Sequence, residues 1–381
     1  MKIAYITTFE ILGSQNSGGV KCCNHNLWLL RQAFGEENIQ VCAITKHKEY
    51  LDKATANITP FFTNRSRKII SLKNSVLSRL MYSKSVEDAV FNYIMNLNCD
   101  LVFFESTKMG LLQKRLPKEI PQAVFMHTVE LEYLKNELAS NPLRILLYHA
   151  VKLNETLAIK HADKIITLND RDTKLLEKYY NRTADITMPI SMEDEFDESK
   201  VTNQNSNHSP LQLLFVGSLF PPNEHGVKWF VDNVMPNVKA KLTIIGRDFE
   251  KLSGRLSRSN VKVVGTVDDL SDYYYNADAV VSPILFGDGM KVKTAEALMY
   301  GKPMFATDEA LEGYEVEGQK NVRRCNSAHE FIETINHYSE NKPYSHFDEN
   351  IRSLFLKKYH SPKYVPLLHG LLSQMKRTKE N

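Results

Sequence analysis

At 381 residues the chain exceeds the length at which one hydrophobic core stops growing, so two domains are expected. With 43% apolar and 24% charged residues it has the make-up of a soluble globular protein, which excludes a disordered or fibrous chain. A formal net charge of +3, with no basic-aromatic recognition motif, gives no reason to expect nucleic acid as a partner.

The start, MKIAYITTFEILG, lacks the long apolar core and cleavage site of a signal peptide and reads as a first strand. No apolar run approaches the ~20 residues of a membrane span, and the chain reads as cytoplasmic. Gly18 and Gly19 follow that strand after a loop and open a helix running to Phe34. A glycine pair there lets backbone approach a ligand closely, and it equally suits a simple helix start. Without GxGxxG, or an acid at the spacing a dinucleotide ribose needs, a nicotinamide enzyme is disfavoured. Cys22, Cys23 and His25 share a helix-period run with Val20, Leu27 and Phe34 and read as packing. The five cysteines show neither a disulfide framework nor ligand spacing.

Further strands are expected at 40–45, 100–105, 122–126 and 164–168, with helical patterns between them. Near-continuous apolar strands alternating with helices argue for a parallel sheet covered on both faces. Between 53 and 86 the chain carries Lys53, Arg65, Arg67, Lys68, Lys73, Arg79 and Lys84 and no acid. Ile69, Leu72, Val76, Leu77 and Leu80 recur there at helical spacing, which suits a surface helix or a basic face (residues 64–84) resting on anionic membrane. His127, immediately after strand 122–126, sits where sheets of this kind present side chains to ligands, and Glu130 follows one turn later. Residues 191–210 turn polar and read as a linker. A second alternating series follows at 211–216, 241–245, 261–264, 279–283 and 303–307. The run His161-Ala-Asp-Lys-Ile-Ile-Thr is echoed by Asn276-Ala-Asp-Ala-Val-Val-Ser, which suits two similar doubly wound domains. The expected organisation is an N-terminal domain over 1–195, a second over 205–345 and a helical tail over 346–381 packing back on the first.

The most informative stretch is FGDGMKVKTAEALMYG, residues 286–301. A glycine-rich turn that opens a helix leaves N–H groups unpaired at the positive end of its dipole and so attracts phosphate. Lys291 and Lys293 add positive charge, and Glu296 can accept from a ribose diol. Asp288, eight positions earlier, lies back in the loop beside Gly289 and Met290. A helix with a solvated charged face would show the same residues.

This arrangement resembles the Glu-x7-Glu motif of the family 4 retaining glycosyltransferases, with Asp288 and Glu296 as the two acids. The resemblance is contiguous over 211–314 and looser before it. It implies the α/β GT-B fold, two Rossmann-like doubly wound parallel-sheet domains facing a central cleft. It also implies that Glu296 binds the nucleotide ribose, that Asp288 contacts the donor sugar, and that Gly18 and Gly19 belong to a donor-phosphate loop. His127 then stands near the reacting face of the sugar, with Glu130 beside the acceptor. Gly217, Ser218, Gly246 and Thr266 match strand-end donor contacts, although Ser218 replaces the usual Arg and the usual Lys is absent. Phosphate neutralisation then falls on Lys291 and Lys293. The implied activity is metal-independent transfer of a hexose-type sugar from a nucleoside diphosphate to a glycan or lipid-linked acceptor in cell-surface polysaccharide biosynthesis, with no cofactor. A nucleotide-sugar 2-epimerase or a non-catalytic sugar-binding protein would share the fold.

Overall fold

The computed structural model describes residues 1–13, 17–64, 79–80, 82–138, 145–201, 210–341 and 346–375. The chain forms two compact units, Met1–Pro189 with Ser361–Asn381, and Ile190–His360.

The first unit is built on seven strands: β1 (Ile3–Thr7), β2 (Ile39–Thr45), β3 (Ile58–Phe62), β4 (Leu101–Phe104), β5 (Gln122–Met126), β6 (Lys164–Thr167) and β7 (Ile186–Thr187). They lie in the order β3-β2-β1-β4-β5-β6-β7, all parallel. β1, β2, β4 and β5 are buried at every position, the pattern of strands covered on both faces. On one face Val102, Phe104, Val124 and Met126 pack with Val86, Val90 and Ile94 of helix Lys84–Leu97. The direction of winding reverses between β1 and β4. Ligand crevices in such sheets open beyond the strand carboxyl ends at that reversal.

The second unit repeats the plan with β8 (Leu211–Val216), β9 (Ala240–Ile245), β10 (Val261–Gly265), β11 (Ala279–Ser282), β12 (Met304–Ala306) and β13 (Val322–Arg324). Their order is β10-β9-β8-β11-β12-β13, again parallel, and the reversal falls between β8 and β11.

One device recurs at the amino ends of these strands. Asp100 accepts a hydrogen bond from the Lys2 backbone N–H at 2.8 Å and donates its own N–H to the Lys2 carbonyl at 2.8 Å. Asp163 with Gln122, Asp185 with Ile165 and Asp278 with Gln212 repeat this two-way bond. Each aspartate thus pairs a backbone N–H that the ladder leaves over and pins the register of its strand against its neighbour. Asp163 and Asp278 are the acids of the two echoed heptapeptides, so the echo marks a shared strand-pinning site.

The structure departs from the expected organisation in several places. β3, β7 and β13 are additional strands. β3 carries Pro60 on an edge, β7 is two residues long, and β13 is mostly charged, so none shows an apolar run. The boundary falls at Pro189, and the segment read as a linker packs on the second unit up to Val201. Phe196 stacks on Phe347 at 5.2 Å, and the Asp197 N–H bonds the Tyr275 hydroxyl at 2.6 Å. The tail divides. Helix Glu349–Lys358 packs on helix Val292–Met299 of the second unit, whereas helix Tyr364–Ser373 packs on helix Gly18–Phe34 of the first. Most of the basic 64–84 face lies outside the described residues. Among the described residues no helix is long and apolar enough to cross a membrane.

Candidate functional site

In the second unit the candidate residues gather beyond the carboxyl ends of β8 and β11. After β11 the chain passes through a turn in which Gly289 takes a φ of 60°, a conformation that disfavours a side chain. Asp288 occupies the half-buried turn beside it, and Met290 is buried. The helix begins at Val292 with Lys291 as its N-cap, so Lys291 precedes the first turn instead of standing in it. Its ammonium donates to the Gly289 carbonyl at 2.8 Å and ion-pairs with Glu309, while the Tyr314 hydroxyl donates to the Lys291 carbonyl at 2.7 Å. Lys291 is thereby tied to its own loop, with its charge partly compensated.

Lys293 is placed differently. Its Nζ donates to Asn223 Oδ1 at 2.5 Å and lies 4.4 Å from the centroid of the Phe215 ring. Asn223 Nδ2 in turn donates to the Ser218 carbonyl at 2.8 Å. A Cβ on Gly217 would come within 2.9 Å of Lys293 Nζ, so the missing side chain there makes room for the ammonium. Only 9% of Lys293 is exposed, and burial, with the Lys291 charge adding and Glu296 opposing, pulls its pKa down to about 7. A cation held by an amide oxygen and a ring face regains its full charge when an anion arrives.

Glu296 is 8% exposed, and its Oε2 accepts from the Tyr274 hydroxyl at 3.1 Å. Tyr274 stacks on Tyr300 with centroids 4.6 Å apart, which fixes the donor. Burial and the Glu296 charge raise the Tyr274 pKa, so the hydroxyl keeps its proton for that bond. The loops after β8, β9 and β10 are laced together. The Gly217 N–H bonds Ile245, that of Leu219 bonds Arg247, and that of Gly246 bonds Gly265, at 2.8–2.9 Å. Thr266 is exposed just beyond β10.

In the first unit Ser17 caps the helix by accepting from the Val20 N–H, and Gly18 and Gly19 are its first residues. A Cβ on Gly19 would stand 2.7 Å from the Phe9 ring, and Phe9 packs on His127 with centroids 4.8 Å apart. His127 Nε2 lies 2.8 Å from Glu105 Oε1 and 3.8 Å from Cys23 Sγ. Burial opposes a charged ring, but Cys22, Cys23 and Glu105 outweigh it and raise the His127 pKa well above its usual value. Glu130 pairs with Lys108 at 2.8 Å. Its backbone N–H and that of Leu131 donate to Glu155, which caps this helix start. Burial raises the Glu155 pKa to about 7.

Cys23, Glu105 and His127 offer three ligand-type atoms within 4.8 Å of one another, with the Glu105 and His127 atoms 2.8 Å apart. His25 bonds Ser361 at 3.2 Å instead of joining Cys22 and Cys23.

Sequence reasoning missed Asn223, Phe215, Tyr274, Glu309 and Tyr314 in the second unit, and Asn26, Glu105 and Glu155 in the first. Glu105 alone left a trace, as an acid closing the apolar run LVFF.

Residues 210–341 match the family model described as glycosyl transferases group 1. No curated protein matches the chain by sequence. Among solved structures the chain is similar to Alr3699/HepE from Anabaena, solved with UDP and glucose, at 15% identity and a TM-score of 0.70, covering 98% of this chain and 100% of that one. It is similar to sucrose-phosphate synthase from Thermosynechococcus elongatus at 15% identity and 0.72, covering 98% of each. The lipopolysaccharide outer core galactosyltransferase WaaB, at 14% identity and 0.65, is covered in full by 98% of this chain. The second unit therefore matches the glycosyl transferases group 1 over residues 210–341, and the chain has the GT-B fold of these solved structures.

Proposed function

We propose that the chain is a retaining, metal-independent glycosyltransferase that moves a hexose-type sugar from a nucleoside diphosphate to a hydroxyl of a glycan or lipid-linked acceptor. It would act in the cytoplasm, resting on the inner membrane face, in cell-surface polysaccharide biosynthesis. The observation that carries this reading is Lys293, a buried ammonium held by Asn223 at the carboxyl end of β8 within the segment that matches the family.

Breaking the sugar–phosphate bond leaves negative charge on the departing diphosphate. Lys293 and the N–H groups at the start of helix Val292–Met299 would serve as the preorganised donors to that charge. Glu296, oriented by Tyr274, would accept from the ribose hydroxyls. Asp288 would meet the sugar, His127 its reacting face, and Glu130 the acceptor, in the roles the family resemblance implies. UDP in the HepE complex makes uridine the first nucleotide to try.

The test is incubation with a panel of nucleotide sugars, with and without glycan and lipid-linked acceptors, in chelator. The reading predicts acceptor-dependent release of the nucleoside diphosphate and a product of unchanged anomeric configuration. Free sugar released equally without acceptor would replace it by an epimerase or hydrolase. Loss of activity in chelator would remove metal independence.

A further inference from the structure

His127 is held by a buried network that the family resemblance did not bring forward. Glu105 directly follows β4, with its N–H bonded to the Ile6 carbonyl at 2.9 Å, and its side chain is fully buried. Its Oε1 accepts from Asn26 Nδ2 at 2.6 Å and stands 2.8 Å from His127 Nε2. Its Oε2 is buried with no hydrogen-bond partner among the described residues. Asn26, itself 2% exposed, reaches Glu105 from helix Gly18–Phe34, one turn beyond Cys22 and Cys23. The imidazole is clamped between Phe9 at 4.8 Å and Phe125 at 5.2 Å, so it cannot swing away from that oxygen cheaply.

A buried carboxylate with one oxygen unbonded is costly unless a charge faces it. The amide of Asn26 can only donate through Nδ2, so Oε1 is an acceptor toward the helix, and the same oxygen takes the ring N–H. We propose that Glu105 is the positioning residue of His127: its carboxylate binds the Nε2–H, keeps the ring protonated, and leaves Nδ1–H as the donor offered to the substrate. This rests on the reading of His127 as a sugar contact, and it adds the charge state and the direction of that contact. A protonated ring presents a donor to substrate oxygen, where a neutral ring with Nε2–H would present an acceptor. Glu105 and Asn26 hold the ring without touching substrate.

The groups facing the ring are Cys22 and Cys23 from the helix, Glu105 after β4, and Lys108 above Phe9, with the Tyr5 hydroxyl of β1 beside both the Cys23 carbonyl and Glu105. Burial and the Glu105 charge push the Cys23 thiol up, so it stays protonated beside the ring.

The experiment is nitrogen-15 NMR of the His127 ring across pH in the substrate-free protein, for wild type, Glu105→Gln and Asn26→Ala. Gln keeps an oxygen for the Nε2–H while removing the charge. The ring pKa should therefore fall by roughly one to three units in Glu105→Gln and by less in Asn26→Ala. Turnover in Glu105→Gln should fall at alkaline pH first, with its alkaline limb displaced by the same shift, while KM changes little. An unmoved ring pKa in a folded Glu105→Gln protein, or a wild-type ring that is neutral at pH 7, would overturn the proposal. Because the NMR arm needs no substrate, its result stands even if no transferase activity is found. A ring shift with no change in the pH profile of turnover would overturn the catalytic consequence.

Discussion

Two residues of the helix Val292–Met299 carry opposite charges into buried positions, and each is held by a neutral partner from another element. Lys293 leans on Asn223 and the Phe215 ring, and Glu296 on the Tyr274 hydroxyl. Neither partner neutralises its charge, so both sites are prepared for a polar ligand at the cost of burying an ion. If Glu296 holds a ribose, Glu296→Gln removes a charged acceptor but keeps an oxygen for Tyr274. The affinity for nucleoside diphosphate should then drop by about tenfold to a hundredfold, the worth of ~1.5–3 kcal/mol of charge-assisted hydrogen bonding, with little change in thermal unfolding. An unchanged dissociation constant would end the ribose assignment. At this scale the sequence was legible for the residues that bear charge and illegible for those that hold them. Spacing placed Lys293 and Glu296 one turn apart on a helix, but Asn223 and Tyr274 lie 70 and 22 positions away. Lys291 shows the same limit, since nothing local pointed to Glu309 as its partner.

At the scale of elements, the long apolar strands were readable because burial on both faces removes alternation and leaves a run of Val, Ile and Phe. β3, β7 and β13 lie at the sheets' outer positions, where two-sided burial lapses and the run disappears. The strand ends that carry the candidate residues followed from the runs themselves: His127 follows β5 in the first unit, and Gly217 follows β8 and Gly246 follows β9 in the second. One element rests on sequence alone, the basic and apolar face within 64–84. If it rests on membrane, each basic residue adds about 1 kcal/mol near an anionic surface, and salt weakens the sum. Flotation should show binding to anionic but not neutral liposomes, reduced when Arg65, Arg67, Lys68 and Lys73 are changed to Ser. Equal flotation with both lipids, or none at low salt, would leave that face as scaffold.

At the scale of the whole molecule, one winding plan serves twice. Both units reverse strand order beside their first strand, and both pin a strand across that reversal with an aspartate: Asp100 to β1 and Asp278 to β8. The doubling was legible from the alternation of elements and from one echoed heptapeptide. The boundary was less so, because 190–201 is polar in composition yet packs through Phe196 and Asp197 on the second unit. The buried Lys293 belongs to the second unit and the Glu105–His127 pair to the first. The central claim is that Lys293 receives a diphosphate. Calorimetry with uridine, guanosine and adenosine diphosphates at pH 8, in buffers of different ionisation enthalpy, tests it most directly. With its pKa pulled down to about 7 by burial, Lys293 would be mostly neutral at pH 8 in the free protein and would take up a proton if a diphosphate binds beside it. The account predicts tight binding of one nucleotide with uptake of roughly one proton, affinity that weakens as pH rises above about 7, and loss of the uptake in Lys293→Met. Binding without proton uptake, and with equal affinity in Lys293→Met, would contradict it.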